Sequence, residues 1–349
     1  MASTERHISP DVLRTFIESL LRAHDVSQPQ AASVARNIVW SELVDRSNFG
    51  VLRLPVYLAR LRAGGLNGNC AINIEPLGAS MAQVDADNGF GQYAGEQAMS
   101  EATRLARETG LSIVGVKNSN FFGTGAYFVN MAAAEGMIGL AMSNSFPKVV
   151  AHNGLLPVLG TNPFAFGAPR VNGESVLVDM ATSALAGSTV RQYRDAGEKI
   201  PDGFAIDREG KSINNPDQVA SGALLPFGGA KGYCLSLIVE ILAGVITGAG
   251  ISGGVKSMFN DLSEGGQNGH CMMAFNIGRF MPLETYHQRL EGLAEQLKLS
   301  NPGGADVLLP GEVRWKQYRK NLQHGVAMTE KAIDQVEGLA REAGINCPL

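Results

Sequence analysis

The sequence predicts an α/β fold, and three observations carry that prediction. Between residues 71 and 142, short runs of β-branched and small apolar residues alternate with helical periodicities. Helical patterns flank this alternation, up to about residue 63 and again near 283–298, 313–323 and 329–343. Of the 349 residues, 45% are hydrophobic and 18% charged, and 42 are glycine, so the chain can bury a sizeable core and turn tightly many times.

Taken in order, Ser9-Pro10-Asp11 marks a helix start: a capping hydroxyl, a proline in the first turn and an acid near the positive end of the dipole. Val12, Phe16, Leu20 and Leu21 are its expected apolar face. Ser27 opens a second helix towards Val44, and Leu54 to Arg62 forms a third, stopped by Gly64-Gly65. Short strands are expected at Ala71–Ile74 and Ala82–Val84, separated from the next helix by the turn residues Asp85-Ala86-Asp87-Asn88-Gly89. A helix from Gln92 to Thr109 ends at Gly110. It is followed by a strand at Leu111–Val116, a helix at Tyr127–Ala134 and a strand at Ile138–Met142. Residues 143–232 are richer in loops, with a strand at Val176–Asp179. Tyr233 to Thr247 reads as a buried helix, interrupted by Glu240 and too short to span a bilayer, and Cys271–Phe275 is a late strand.

A net charge of −4 gives no footprint for nucleic acid or an anionic membrane surface. Cys70, Cys234, Cys271 and Cys347 are widely spaced, as in a reduced cytoplasmic protein, and the polar start (Glu5, Arg6, His7, Asp11, Arg14) does not read as a signal peptide. No Walker A motif, metal-binding His/Cys pattern or G-x-S-x-G elbow is present, so no metal is expected. Gly248-Ala249-Gly250-Ile251-Ser252-Gly253 fits G-x-G-x-x-G in letters only. It follows a helix instead of a strand and lacks the strand-end acid of a dinucleotide fingerprint.

The most informative stretch is Arg46 to Tyr57, where a polar residue, an aromatic, a glycine, a cation and a phenol crowd one helix–helix turn. Gly50 is expected to take a backbone conformation closed to other residues. With its surroundings, Ser41-Glu42-Leu43-Val44-Asp45-Arg46-Ser47-Asn48-Phe49-Gly50-Val51-Leu52-Arg53-Leu54-Pro55 resembles the signature of the malate/L-lactate dehydrogenase type 2 family. Further motifs occur in family order: Asn118-Ser119-Asn120-Phe121-Phe122-Gly123, Met142-Ser143-Asn144-Ser145, Leu159 to Phe166, Asp179-Met180-Ala181-Thr182-Ser183, Leu224 to Tyr233, and Leu309-Pro310-Gly311-Glu312. The resemblance runs from the second helix to about residue 323.

This resemblance implies a non-Rossmann fold, a mixed sheet with N- and C-terminal helices. Residues 1–120 plus 285–349 would form a helical, substrate-binding and dimerisation part, and 121–284 an NAD(P)-binding α/β part. It also implies a homodimer with the active site between subunits. NADH or NADPH would touch Ser145, Asp179, Met180, Ala181, Lys231, Gly311 and Glu312, and Arg53 would hold a substrate carboxylate. The family motif is usually Asp-Ser-His-Gly-Val-x-Arg with the histidine as proton donor, oriented by the acid at Asp179. Here Asn48 and Phe49 replace Ser-His, and Phe121 and Ala230 occupy two further histidine positions.

Phenylalanine cannot protonate a developing alkoxide. The expected chemistry is therefore NAD(P)H-dependent reduction of a cyclic imine or iminium carboxylate, with Phe49, Arg53, Tyr57 and Phe121 around the substrate. An alternative is a 2-oxo acid dehydrogenase in which His152 or Tyr57 supplies the proton. A third is a homologue that binds nucleotide or metabolite without turnover. His270, at the start of the late strand, is expected to be structural.

Overall fold

The proline-led helix starts form as expected. The structure, a computed structural model describing residues 5–349, has α1 at Pro10–Arg22 and α2 at Gln28–Leu43, preceded by a short strand β1 at Glu5–Ile8. Neither Ser9 nor Ser27 makes a side-chain cap bond, so the fixed φ of the following proline carries each start. The buried face of α1 is Leu13, Phe16, Ile17, Leu20 and Leu21. Val12 is exposed, because the i, i+3, i+4, i+7, i+8 stripe begins one residue later than expected. Helix α3 (Leu54–Ala63) ends at Gly64, whose φ of 81° only glycine adopts without strain.

The alternating segment becomes β2 (Asn73–Gly78), β3 (Met81–Asp85), α4 (Gly91–Thr109), β4 (Leu111–Ser119), α5 (Gly125–Ala134) and β5 (Met137–Ser143). Strand β2 starts later than expected because the Ala71 N–H donates to the Asp87 carboxylate instead of to a ladder partner. The loop-rich region holds the expected strand as β9 (Val176–Met180), and it also contains β6 (Val149–Val150), β7 (Pro157–Leu159), β8 (Phe164–Ala168), α6 (Gly187–Ala196), β10 (Ala205–Ile206) and β11 (Ala223–Leu224). Strands this short leave little periodic signal.

The late strand β12 (Asn268–Asn276) inserts between β4 and β5, antiparallel to both. The resulting seven-stranded sheet has the order β2-β3-β4-β12-β5-β8-β9. It is mixed, with β3 and β4 parallel and the other pairs antiparallel. A four-stranded sheet, β10-β11-β6-β7, sits beside it. The main sheet draws strands from both sides of residue 120: β2, β3 and β4 precede it, and β5, β8, β9 and β12 follow it.

Helices α4 and α5 share one core with the sheet, around Met99, Phe128 and Val129. Gly139 and Gly167 permit the close approach of α5: a Cβ on Gly139 would lie 3.1 Å from Val129 Cα, and one on Gly167 would lie 2.6 Å from Val129 O.

Helix α7 (Ala230–Glu240) continues through a π-turn at Ile241–Val245 and packs Val239 and Ala243 against Met142 and Cys271. It was expected to be buried, yet its outer side is open: Leu237, Ile238, Ile241, Val245 and Ile246 are all exposed. A helix apolar on every side gives no moment by which sequence could tell inner from outer face. Among the described residues no helix is long and apolar enough to cross a membrane.

The C-terminal part supplies α8 (Leu283–Lys298), α9 (Glu312–His324), β13 (Val326–Thr329) and α10 (Glu330–Ala343). Strand β13 pairs antiparallel with β1, and α10 shares the apolar core of α1 and α2, so the two ends of the chain close one layer.

Candidate active site

The turn between α2 and α3 is held from behind by Glu42. Its buried carboxylate accepts from Ser47 Oγ at 2.6 Å and from the Val51 N–H at 2.7 Å. Gly50 has a negative φ of −91° with ψ at −140°. What demands glycine here is space, because a Cβ would collide with the Glu42 carboxylate. Two 3₁₀ turns, Ser47–Phe49 and Val51–Arg53, then aim Asn48, Phe49 and Arg53 into a cavity of about 380 Å³.

The other walls come from Phe121 to Gly123 after β4, Ser143 to Lys148 after β5, Asp179 to Ala181 at the end of β9, Ala186 to Gln192 at the start of α6, and Lys256 to Phe259, with Thr161, Pro163, Asn268 and Arg314 between them. Phe49 stacks on Phe121 with centroids 6.0 Å apart and planes 11° apart. The Arg53 guanidinium lies 5.8 Å from the Phe121 centroid and 5.5 Å from that of Phe259. Arg53 is only 8% exposed, and among the described residues it has no carboxylate partner and its Nε makes no hydrogen bond. Burial, then the neighbouring Arg191, pushes its pKa down to about 10.

Among the described residues Asp179 is the only acid lining the cavity, and one of its carboxylate oxygens, Oδ2, is occupied. It accepts from Thr124 Oγ1 at 2.6 Å, from the Ala126 N–H at 3.1 Å and from Arg314 at 3.3 Å, at the N-terminus of α5. The Ser145 hydroxyl accepts from the Thr161 N–H at 3.0 Å, and the Ser145 N–H donates to Asn162 Oδ1 at 3.1 Å. Six cations line the same space: Arg46, Arg53, Lys148, Arg191, Lys256 and Arg314. The cavity is therefore built for negative charge.

Of the residues singled out from sequence, Asn48, Phe49, Arg53, Phe121, Ser145, Asp179, Met180 and Ala181 meet in this cavity. Tyr57 does not. It lies one turn inside α3, 3% exposed, with its hydroxyl accepting from Gln92 Nε2 at 2.7 Å and its ring edge-on to Phe90. Burial pushes its pKa up to about 12. The i, i+4 spacing from Arg53 fails to carry both to one opening because regular helix begins only at Leu54. His152 is exposed beside Gly229 in a second, shallower depression. Lys231 is exposed at the start of α7. Gly311 backs onto Ser175 and Leu177, and Glu312 pairs with Lys298 and Arg170, all outside the cavity.

His270 is fully buried in β12 between the hydroxyls of Ser143 and Ser119, at 2.9 and 2.8 Å, and stacks on Phe122. Burial pushes its pKa down to about 3, which suits a neutral structural ring. Sequence reading missed Lys148, Arg191, Phe259 and Arg314. The one available signal was Lys148 itself, a cation set in the apolar run Phe146 to Ala151.

Residues 8–337 match the malate/L-lactate dehydrogenase family. The chain belongs to that family. A malate dehydrogenase of Pyrococcus abyssi is 37% identical over 348 residues, covering 97% of this chain and 95% of that protein. A Δ1-pyrroline-2-carboxylate/Δ1-piperideine-2-carboxylate reductase of Pseudomonas syringae pv. tomato is 33% identical over 339 residues, with 95% and 96% covered. The crystal structure of a malate dehydrogenase from Entamoeba histolytica superposes with a TM-score of 0.94 at 25% identity, covering 99% of this chain and all of that one. As a member of the malate/L-lactate dehydrogenase family, the chain is an oxidoreductase with a mixed, non-Rossmann α/β fold.

Proposed function

We propose that the protein reduces an anionic 2-oxo acid with NADH or NADPH, the substrate carboxylate pairing with Arg53. The observation that carries this reading is a buried guanidinium with no acid of its own, facing a cavity. Leaving such a charge unpaired costs free energy in the empty protein, and a bidentate carboxylate removes that cost. Six lining cations against one carboxylate also repel a protonated iminium, which reverses the order expected from the missing histidines.

The residues present fit a nicotinamide dinucleotide. Ser145 and the Asp179–Ala181 backbone offer hydrogen bonds, and Arg191 with the N-terminus of α6 at Gly187 and Ser188 offers an anion site for phosphate. The cavity is small for a whole dinucleotide plus a substrate, so Lys231, Gly311 and Glu312 are proposed to hold the part that extends past its mouth. When bound, the reduced nicotinamide supplies a hydride to the acceptor carbon. The chain's own residues fix the carboxylate at Arg53, exclude water with Phe49, Phe121 and Phe259, and hold Asp179 against Arg314 and the start of α5.

Cyclic imine reduction is the second reading. It rests on the stacked Phe49–Phe121 pair, a flat apolar wall for a ring, and on the similarity to the pyrroline/piperideine carboxylate reductase. We also propose a cytoplasmic homodimer, in keeping with four free cysteines and with the exposed apolar side of α7.

Following NAD(P)H absorbance with 2-oxo monoacids, 2-oxo dicarboxylates and cyclic imine carboxylates tests the order. Turnover of imines alone reverses it, and silence with all three classes leaves a binding protein without turnover. Titrating NAD(P)H against Lys231→Ala should show a loss of about 1–3 kcal/mol, and an unchanged affinity removes that residue from the cofactor site. Sedimentation of Ile238→Asp should show the dimer dissociating.

A further inference from the structure

We propose that Lys148 donates the proton to the substrate's carbonyl oxygen, in place of the imidazoles absent at positions 49, 121 and 230. This rests on the 2-oxo acid reading above and names the residue that completes it.

The assignment follows from what lines the cavity. Among the described residues no histidine, tyrosine or cysteine reaches it. Arg46, Arg53, Arg191 and Arg314 are guanidinium groups, which keep their protons throughout the working range. Asp179 accepts three hydrogen bonds, and Lys256 is paired with Glu264 at 3.1 Å. Lys148 alone among the lining groups carries a transferable proton and no carboxylate partner, among the described residues.

Its position is fixed from both sides. The Lys148 N–H donates to Leu159 O and its carbonyl accepts from the Leu224 N–H, each at 2.8 Å, which pins the backbone beside β7 and β11. The ammonium then lies 4.6 Å from the Phe146 centroid and 5.9 Å from that of Phe259. Phe259 also carries Arg53 at 5.5 Å and Arg191 at 5.6 Å, so three cations surround one ring. A Cβ on Gly187 would lie 3.5 Å from Nζ, so the α6 N-terminus abuts the ammonium with no side chain between them.

The charged groups lining the same cavity are Arg46 and Arg53 from the α2–α3 turn, Arg191 from α6, Lys256 from the loop before β12, Asp179 from β9 and Arg314 from α9. Burial, then Arg191 and Arg53, pushes the Lys148 pKa down to about 8, close to where a general acid works best.

The step balances simply. With a hydride supplied to the carbonyl carbon by the bound nicotinamide, the C=O electron pair would move to oxygen, and that oxygen would take a proton from the Lys148 ammonium. The products are the 2-hydroxy acid and the oxidised cofactor, and the neutral amine regains its proton from water. Reduction therefore needs the protonated lysine and should fall as pH rises through its pKa, while oxidation of the hydroxy acid should rise over the same range.

The test compares Lys148→Met and Lys148→Arg with the wild-type protein, together with an NMR titration of ¹³C-dimethylated lysines. Both variants should lose about 10²–10⁴-fold in kcat while binding NAD(P)H within about twofold of wild type, and the alkaline limb of the rate profile should disappear. One lysine resonance should titrate near 8 and be missing from Lys148→Met. Wild-type kcat in Lys148→Arg overturns the assignment, since an anion clamp tolerates arginine and a proton donor does not. Weakened cofactor binding with unchanged kcat overturns it in favour of a phosphate contact. If the wild-type protein reduces no 2-oxo acid, the proposed function fails separately. The lysine titration still decides, because a Lys148 midpoint at the ordinary value of about 10.4 sinks the proposal.

Discussion

Two arginines with largely covered side chains, Arg53 and Arg170, sit in opposite electrostatic situations. Arg170, its side chain 10% exposed, donates to Glu291 at 2.6 and 2.9 Å and to Glu312 at 3.2 Å, and Lys298 joins Glu312 at 2.6 Å. Two cations meet two carboxylates, and the fold compensates itself. Arg53, only 8% exposed, faces Arg191 and Lys148, and among the described residues no carboxylate pairs with it. The difference shows which charges the chain keeps for its own stability and which it leaves for a ligand. The paired cations tie the turn between β8 and β9 to α8 and α9, whereas unpaired ones are strained until an anion arrives.

The sharpest way to break this comparison is to remove each arginine in turn. Arg53→Met should lower kcat/KM for a 2-oxo acid by about 10²-fold or more, since charged hydrogen bonds contribute about 1.5–3 kcal/mol each, while the empty protein melts no lower than wild type. A steady-state assay with a thermal melt reads both, and an unchanged KM would show that Arg53 faces no carboxylate. Arg170→Met should do the reverse. Two partly buried carboxylates lose their partner, so stability falls by about 1–3 kcal/mol and substrate KM holds. A large KM effect there would dissolve the distinction.

Acidity separates the two regions further. Hydrogen bonding to Arg170 holds the Glu291 carboxyl below its usual range. Its folded pKa is depressed, so its contribution is present above about pH 4.3 and is lost as pH falls through the folded value. Melting curves of wild type and Arg170→Met should therefore converge below about pH 4.

The smallest expected effect concerns Lys148, whose folded pKa is also depressed but whose charged form is the one penalised. Below about 8 both folded and unfolded chains carry the charge, and the folded one bears the cost. That cost is relieved as pH rises from about 8 towards the unfolded value of about 10.4. Lys148→Met should melt about 2–4 °C higher than wild type near pH 7, with the gap closing above pH 10. A variant that melts lower at pH 7 would mean the ammonium is not penalised in the fold.

The candidate site was half legible. Ser145, Asp179, Phe49, Arg53 and Phe121 could be read from motifs because each lies in a short segment whose own turn or strand end aims it. Tyr57 misled because its placement depends on where helix replaces 3₁₀ geometry, a matter of one residue's dihedral angles. The open face of α7 could not be read, because an all-apolar helix has no inner side until its neighbours are in place.

What the sequence determined by itself was local and periodic. It set the proline-led starts of α1 and α2, the glycine stops at Gly64 and Gly110, the α/β alternation and the three C-terminal helices. Caps, turns and periodicities act over three or four residues and carry their own free energy. What only the tertiary structure decided was the electrostatics of the cavity. Arg53, Lys148 and Arg191 are scattered along the chain, and they gather around Phe259 because separate layers close on one another. A side chain's pKa and its need for a partner depend on the water and charges left around it after that closure, and no run of neighbouring residues encodes them.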